Sequence, residues 1–249
     1  MKVLIVHAHP EPQSFCTALK TTAVDVLGGA GHEVEVSDLY AMGFNPVASA
    51  DDFGTRANPD YCVYALEQRH GVAGGTIAPD IKDELEKLMR CDLLILNFPL
   101  FWFSTPAILK GWIDRVLVSG PVYGGMRFYN RGGLRGKRAV VSLTLGGQAH
   151  MFADDGVHGP LMDMLRPLLQ GTLGYTGLDV LEPFVAWHVP YVTHDVRLDY
   201  LAAWRSRLSS LATESPLPFP SLDDFDERLH PVTGATPAIE TRQVARVKM

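Results

Sequence analysis

The sequence predicts an α/β protein built on a five-stranded parallel sheet with helices on both faces. Apolar runs of strand length alternate with segments of helical period along most of the chain, which is typical of a sheet covered on both sides. Several of these runs are apolar at almost every position, as expected for strands buried on both faces. The length of 249 residues is also sufficient for a substantial core.

Five segments are predicted as strands. The first and third are continuous apolar runs, whereas the second alternates apolar and polar residues, as a partly covered strand does. In chain order the predicted strands are Val3–His7, Glu33–Asp38, Asp92–Asn97, Arg138–Thr144 and Leu178–Phe184.

Helices are predicted between these strands and after the last one. Ser14 is suited to capping the first helix, and Pro106 stands in the first turn of a later helix, where its missing N–H is harmless. The irregular stretch 40–78 is rich in Asn, Asp, Pro and Gly and is predicted to contain a short helix near Tyr64–Arg69. The other predicted helices are Ser14–Leu27, Ile81–Arg90, Pro106–Leu117, Pro160–Leu169 and Asp195–Leu211.

The C-terminal part of the chain has a different character. Residues 1–213 are predicted to form one domain, and residues 214–249 an irregular extension that packs on the core or on a partner subunit. The segment Glu214–Pro220 contains three prolines, which exclude a helix or a central strand.

Composition excludes several classes of function. The hydrophobic content is 47%, and no apolar run reaches the ~18 residues of a membrane helix. Because Met1–His7 leads directly into a strand and is too short for a signal-peptide core, we expect a cytoplasmic protein without membrane insertion. The net charge of −6 provides no basic stripe for nucleic acid. Three isolated cysteines lack metal-ligand spacing, so neither a disulfide framework nor a metal site is expected.

Three loops are predicted to meet at one edge of the sheet, because the carboxyl ends of parallel strands lie together there. The first loop, residues 9–16, lacks the G-x-G-x-x-G pattern of a dinucleotide-binding turn. It does place Phe15 and Cys16 at a helix N-terminus, which favours a phosphate, with His9 as a further donor. The alternative is a helix cap beside a surface histidine.

The second and third loops complete a candidate site for a flat ligand. Residues 98–112 carry two prolines and three aromatic side chains close together, with no charge before Lys110, and this composition suits a planar ring. Gly146 and Gly147 follow the fourth strand and let the backbone approach a ligand closely. A packing cluster and a plain tight turn are the respective alternatives. Together the three loops match a flavin nucleotide.

Several motifs resemble the DT-diaphorase-like NAD(P)H:quinone oxidoreductase family of flavodoxin-like enzymes. The resemblance covers the chain to about residue 225, and its most specific segment is Pro106–Trp112. The other matching segments include Ser37–Met42, Phe44–Pro46, Phe98–Leu100, Gly156–Gly159 and Leu181–Pro183. It implies a flavodoxin-like three-layer α/β/α fold and a homodimer in which the partner chain completes each site. It also implies FAD rather than FMN, because the extension makes this a longer member, with NAD(P)H as co-substrate.

The resemblance also implies roles for individual residues. His158 is the implied catalytic residue, and Trp102, Phe103, Tyr123 and His158 surround the position where nicotinamide and quinone bind in turn. Tyr123 is either a gate hinged on glycines or a plain surface aromatic. The implied cofactor-binding residues are His9, Phe15, Cys16, Pro99, Leu100, Phe101, Trp102, Thr144, Leu145, Gly146, Gly147, Phe152 and Arg197.

Two positions depart from the family pattern. Phe152 stands where the family has a tyrosine beside the flavin, and phenylalanine has no proton to donate. Cys16 stands in place of an asparagine; it is interpreted as a small packed residue, with a thiol of lowered pKa as the alternative. His188 and His194 are assigned no role.

The function that follows is two-electron transfer from NAD(P)H through FAD to a quinone-like acceptor. One pocket for both substrates predicts ping-pong kinetics. Three alternatives remain open: an azo- or nitro-reductase of the same fold, a regulatory flavoprotein subunit of a membrane transporter, and a one-electron carrier.

Overall fold

One parallel sheet organises the chain in the computed structural model, which describes residues 1–232. Its strand order is β2-β1-β3-β4-β5, and a further strand, β6, also pairs with β4. All pairs are parallel, and every residue of β3 is buried. The strands are β1 (Lys2–His7), β2 (Glu33–Asp38), β3 (Leu93–Pro99), β4 (Arg138–Thr144), β5 (Asp179–Val180) and β6 (Phe184–Ala186).

Helices cover both faces of this sheet. On one face Leu19 and Leu27 from α1 pack with Trp204 from α6. On the other face the buried side chains come from α3, α4 and α5, including Leu88 and Trp112. The helices are α1 (Phe15–Gly29), α2 (Tyr64–Gly74), α3 (Pro79–Arg90), α4 (Ala107–Val116), α5 (Leu161–Leu168) and α6 (His194–Leu208). The predicted three-layer α/β/α fold is confirmed.

The fifth predicted strand, Leu178–Phe184, is wrong as a single element. It is divided into β5 and β6, which both pair with β4 in parallel register. The division falls at residues 181–183, where Pro183 has no N–H to donate to a ladder. At the same place the Leu217 N–H donates to the Val180 carbonyl at 2.7 Å. The extension therefore uses a carbonyl group of β5 as a hydrogen-bond acceptor.

Helix ends differ from the predicted ones by a few residues, with one larger difference. The helix predicted near Tyr64–Arg69 continues to Gly74 and ends at Gly75, whose φ of +68° is a left-handed C-cap. The helix predicted to Leu169 gives way to a π-helical turn, Leu169–Gly174. Of the extension, residues 214–232 are described, with Leu217 and Phe219 packed against the core; residues 233–249 of the predicted extension lie outside the described part.

A buried ion pair fixes the irregular stretch after β2. The Arg115 guanidinium on α4 donates to Asp52 Oδ1 at 2.7 Å, and the two side chains are 2% and 3% exposed. Arg115 also pairs with Asp80 at the start of α3, and Asp52 accepts from the Tyr64 hydroxyl at the start of α2. The Arg115–Asp52 pair therefore links three helices to the segment that precedes α2.

Within residues 1–232, no helix combines the length and the apolar character that crossing a membrane requires.

Candidate functional site

A cavity of about 290 Å³ opens at the carboxyl ends of β1, β3 and β4. The structure brings the three predicted loops together in its lining, together with a fourth segment that the sequence did not indicate. The lining residues are His9, Ser14, Phe15, Cys16, Pro99, Leu100, Phe101, Thr144, Leu145, Gly146, Val189 and Pro190.

The first wall is the N-terminus of α1. Ser14 caps this helix by accepting a hydrogen bond from the Thr17 N–H at 3.1 Å. The N–H groups of Phe15 and Cys16 have no acceptor among the described residues, as is usual for the first turn of a helix. The wall therefore presents free donors and the positive end of a helix dipole.

His9 adds a polar side chain to this wall. Its Nδ1 accepts a hydrogen bond from the Glu11 N–H at 3.0 Å. The neutral ring must therefore carry its proton on Nε2. This Nε2–H group is available to donate a hydrogen bond to a ligand. Burial lowers the pKa of His9, so this neutral form is favoured.

The second wall is an aromatic turn that begins where β3 ends. Phe101 and Ser104 exchange backbone hydrogen bonds of 3.0 and 2.9 Å. The two residues between them, Trp102 and Phe103, have φ angles of +50° and +59°. Residues other than glycine rarely adopt this left-handed backbone conformation, and each instance costs about 1–3 kcal/mol. Trp102 is 94% exposed, so the strained turn holds a large apolar ring in solvent.

The third wall is the turn after β4. Thr144 and Leu145 are buried, whereas Gly146 and Gly147 reach the surface. The Leu145 N–H donates to the Ala186 carbonyl at 3.2 Å, but the N–H groups of Gly146 and Gly147 have no acceptor within residues 1–232. This turn thus carries two adjacent unpaired donors, and Gly146 shares the cavity lining with Phe15 and Cys16.

His158 and Phe152 lie beside the cavity in a ring cluster. The His158 ring centroid is 5.2 Å from that of Phe103 and 4.9 Å from that of Phe152. Phe152 also packs on Trp187 and is 7% exposed. A Cβ built on Gly147 would lie 2.5 Å from the Phe152 ring, so only glycine fits beneath it.

Seven residues assigned by resemblance are absent from the cavity lining, which are Trp102, Phe103, Tyr123, Gly147, Phe152, His158 and Arg197. Most of these lie next to the cavity, whereas Arg197 and Tyr123 have other contacts. Arg197 on α6 donates from Nε and Nη2 to the Val189 carbonyl at 3.3 and 3.1 Å, and so holds a lining segment in place. Tyr123 packs on Tyr175 with centroids 6.1 Å apart. Among the described residues Tyr123 makes no ring contact with Trp102 or His158, so one chain alone does not bring these side chains together.

A buried polar network lies beneath the cavity, and the sequence did not predict it. His7 Nδ1 lies 2.6 Å from Asn97 Oδ1, and Asn97 Nδ2 donates to Ser142 Oγ at 3.3 Å. These residues are register partners in β1, β3 and β4. Burial lowers the pKa of His7. A polar residue within each apolar run was the available signal, but alignment across strands depends on register.

Cys16 joins this network from α1. Its thiol donates to Asn97 Oδ1 at 3.4 Å and the residue is 1% exposed. Burial raises the pKa of the Cys16 thiol to about 12. The alternative of a thiol with lowered pKa is therefore wrong, and Cys16 is a neutral packed residue in the cavity wall.

Comparisons with known proteins agree with this geometry. Residues 1–208 match a family model described as a flavodoxin-like fold. The chain is 44% identical over 218 residues to human ribosyldihydronicotinamide dehydrogenase [quinone], covering 87% of this chain and 94% of the relative. It is 41% identical over 226 residues to rat NAD(P)H dehydrogenase [quinone] 1, covering 90% and 82%. A Klebsiella pneumoniae structure described as a quinone reductase superposes with a TM-score of 0.88 at 38% identity, covering 96% of this chain and 97% of that one.

The fold and the site thus define a flavodoxin-like protein with a ligand cavity at the carboxyl edge of its sheet. The chain belongs to the NAD(P)H:quinone oxidoreductase family of enzymes.

Proposed function

We propose that this chain binds FAD in the cavity and catalyses the reduction of quinone-like acceptors by NADH or NADPH. The observation that carries the proposal is a set of free N–H groups that two separate loops bring to one apolar cavity. One pair is Phe15 and Cys16 at the end of α1, and the other is Gly146 and Gly147. A flavin nucleotide has a phosphate at one end and a polar ring edge at the other, with apolar ring surface between them.

The size of the cavity is in the range of small-molecule binding sites. Its volume of about 290 Å³ is close to the lower end of small-molecule sites, ~300 Å³. The residues nearest the phosphate end are His9, Phe15 and Cys16. Six further lining residues, together with Gly147, face the ring or donate to its edge: Pro99, Leu100, Phe101, Thr144, Leu145 and Gly146.

The flavin, when bound, supplies the two-electron chemistry, and the protein supplies orientation and charge stabilisation. Phe103 and Trp102 provide apolar surface on which planar substrates can stack. His158 lies against Phe103, and histidine is the side chain that most often serves as a general acid or base, so His158 is positioned to protonate a reduced acceptor. Phe152 keeps the volume of the family tyrosine but cannot donate, which leaves His158 as the proton carrier in this cluster.

A homodimer is part of the proposal. Trp102 and Val157 are 94% and 79% exposed, and Phe103 is 44% exposed beside them. Such an apolar rim around a site is typical of a surface covered by a partner. Covering the rim with a second chain bearing Tyr123 would close the acceptor site.

A combined cofactor and kinetic experiment tests the function. The flavin is released from the purified protein by heat and identified as FAD or FMN, and initial rates are then measured with NADH and NADPH against a panel of quinones. Because both substrates use one pocket, we expect ping-pong kinetics with parallel double-reciprocal plots. Intersecting plots would contradict the shared pocket.

A matched pair of glycine variants locates the activity in this cavity. Gly147→Ala forces a methyl group against Phe152, whereas Gly28→Ala on α1 meets open space. We expect weaker flavin binding only in Gly147→Ala.

Turnover of azo or nitro compounds in preference to quinones would favour the reductase alternative. Bound flavin with negligible turnover of any acceptor would favour the regulatory subunit or the electron carrier.

A further inference from the structure

His188 has an unusual backbone conformation beside the glycine turn. It follows β6, which ends at Ala186, and has a φ of +54°. A histidine in this left-handed region is strained, and such strain persists only where the surroundings impose it. The residue is therefore held in place by specific contacts.

Those contacts hold three successive carbonyls of the turn. The His188 N–H donates to the Gly147 carbonyl at 2.9 Å, and the Val189 N–H donates to the Leu145 carbonyl at 3.1 Å. The carbonyl between them, on Gly146, lies 2.7 Å from His188 Nδ1. A carbonyl can only accept, so Nδ1 carries the proton in this contact.

The direction of the free donors follows from these bonds. In a trans peptide the C=O and the N–H point in opposite directions. The Leu145 carbonyl fixes the N–H of Gly146, and the Gly146 carbonyl fixes the N–H of Gly147. Because both carbonyls point toward the segment 188–189, both N–H groups point away from it, and they have no acceptor within residues 1–232.

The imidazole itself is held from two further sides. Gln148 Nε2 lies 3.5 Å from His188 Nε2, which can accept because the proton is on Nδ1. The Tyr191 ring packs on the imidazole with centroids 4.8 Å apart. The ring is thus oriented by its neighbours before any ligand arrives.

We propose that His188 is a positioning residue that fixes the Gly146–Gly147 peptide, so that both N–H groups are directed at the polar edge of the bound flavin. The inference rests on the flavin site proposed above. Negative charge develops at that ring edge on reduction, and fixed donors aimed at developing charge are most effective there. Loss of the fixed peptide should therefore weaken binding of reduced flavin more than binding of oxidised flavin.

Two substitutions at His188 separate the effect of the imidazole from the effect of the left-handed backbone conformation. His188→Gly keeps the left-handed φ without strain but removes the donor to Gly146. His188→Asn tolerates the same φ and places an amide N–H close to the position of Nδ1. His194→Asn is the matched control, since His194 is an exposed residue at the start of α6.

Flavin affinity is measured by titrating apoprotein with FAD, and the midpoint potential of the bound flavin is measured by equilibration with redox dyes. For His188→Gly we expect about tenfold weaker binding of FAD. We also expect reduced flavin to lose a further tenfold, which lowers the potential by about 30 mV for a two-electron couple. His188→Asn and His194→Asn should both stay within about threefold of the wild type.

The outcomes distinguish the inference from the function beneath it. Wild-type protein that binds no flavin would overturn both. Wild-type binding with an unchanged affinity and potential in His188→Gly would overturn the positioning role alone. If His188→Asn loses as much affinity and potential as His188→Gly, the Nδ1 donor is not the cause and the inference fails.

Discussion

At the scale of single residues, the aromatic turn stores strain next to the candidate site. Trp102 and Phe103 occupy the two central positions of a tight turn with positive φ, where Asn and Gly are the favoured residues. The chain instead carries two large rings, one of them 94% exposed. Sequence that opposes local preference is expected where function requires it, so we expect this turn to serve binding rather than stability.

A pair of double variants tests whether the two rings in this turn serve binding at the expense of stability. Trp102→Asn/Phe103→Gly removes both rings and the strain, whereas Trp102→Ala/Phe103→Ala removes both rings and keeps the strain. We expect the first double variant to be more stable than the second by about 1 kcal/mol, which corresponds to about 2–4 °C in Tm by calorimetry. Both should lose most of the kcat/KM for quinones. Equal Tm values would show that the turn is not strained.

At the scale of elements, Arg115 decides how the irregular stretch 40–78 is held. Asp52 lies in a single 3₁₀ turn of this stretch, and hydrogen bonds from Arg115 and Tyr64 hold the pKa of Asp52 low against the opposing effect of burial. The Arg115 guanidinium also lies over the Phe44 ring, 5.2 Å from its centroid. A buried charge network therefore holds the parts of this stretch that lie outside α2 against the neighbouring helices.

Breaking this network should be costly. Arg115→Gln leaves the Asp52 carboxylate buried without its partner, and we expect a loss of about 3–5 kcal/mol in the free energy of unfolding by urea titration. Lys110→Gln, on the same helix, removes an exposed ion pair with Asp114 and should cost less than about 1 kcal/mol.

The effect should also depend on pH. Because the pKa of Asp52 is lowered in the folded state, the wild type holds this stabilisation at neutral pH and loses it as pH falls below the usual carboxyl range of about 4. The difference in the free energy of unfolding between wild type and Arg115→Gln should therefore become smaller in acid. A difference that is constant from neutral pH to pH ~3 would contradict the role of the charge pair.

At the scale of the whole molecule, the site of one chain is open on its acceptor side. Trp102 and Val157 form an apolar rim, whereas Tyr123 packs away from it on Tyr175. A second chain placed over the rim would bury this surface and bring a tyrosine to the opening. We therefore expect the assembly, rather than the single chain, to be the catalytic unit.

Sedimentation velocity tests the assembly. We expect the wild type to sediment at twice the mass of one chain at micromolar concentration. Val157→Asp, at a rim position that is 79% exposed, should shift the equilibrium toward monomer and lower quinone turnover together. Leu198→Asp, at a 49% exposed position on α6, is the matched control and should remain dimeric. A wild type that is monomeric, or a Val157→Asp protein that stays dimeric with full activity, would contradict the proposal.

The sequence by itself determined the order of strands and helices, the start of α1 at the Ser14 cap and the three loops of the candidate site. These features are local: periodicity, capping and proline placement act within one or two turns of the chain. The family resemblance rests on similarly contiguous motifs such as Pro106–Trp112.

Only the tertiary structure decided how separate segments meet. Sheet register aligned His7, Asn97 and Ser142 into one buried network, and burial made Cys16 a neutral packed residue. Beside the interruption of the fifth strand, Val180 accepts a hydrogen bond from Leu217, which lies far along the chain. His188 acquired its contacts through carbonyls more than 40 residues away. Long-range hydrogen bonds and register leave no periodic trace in the sequence, because each depends on which distant residue the fold places opposite.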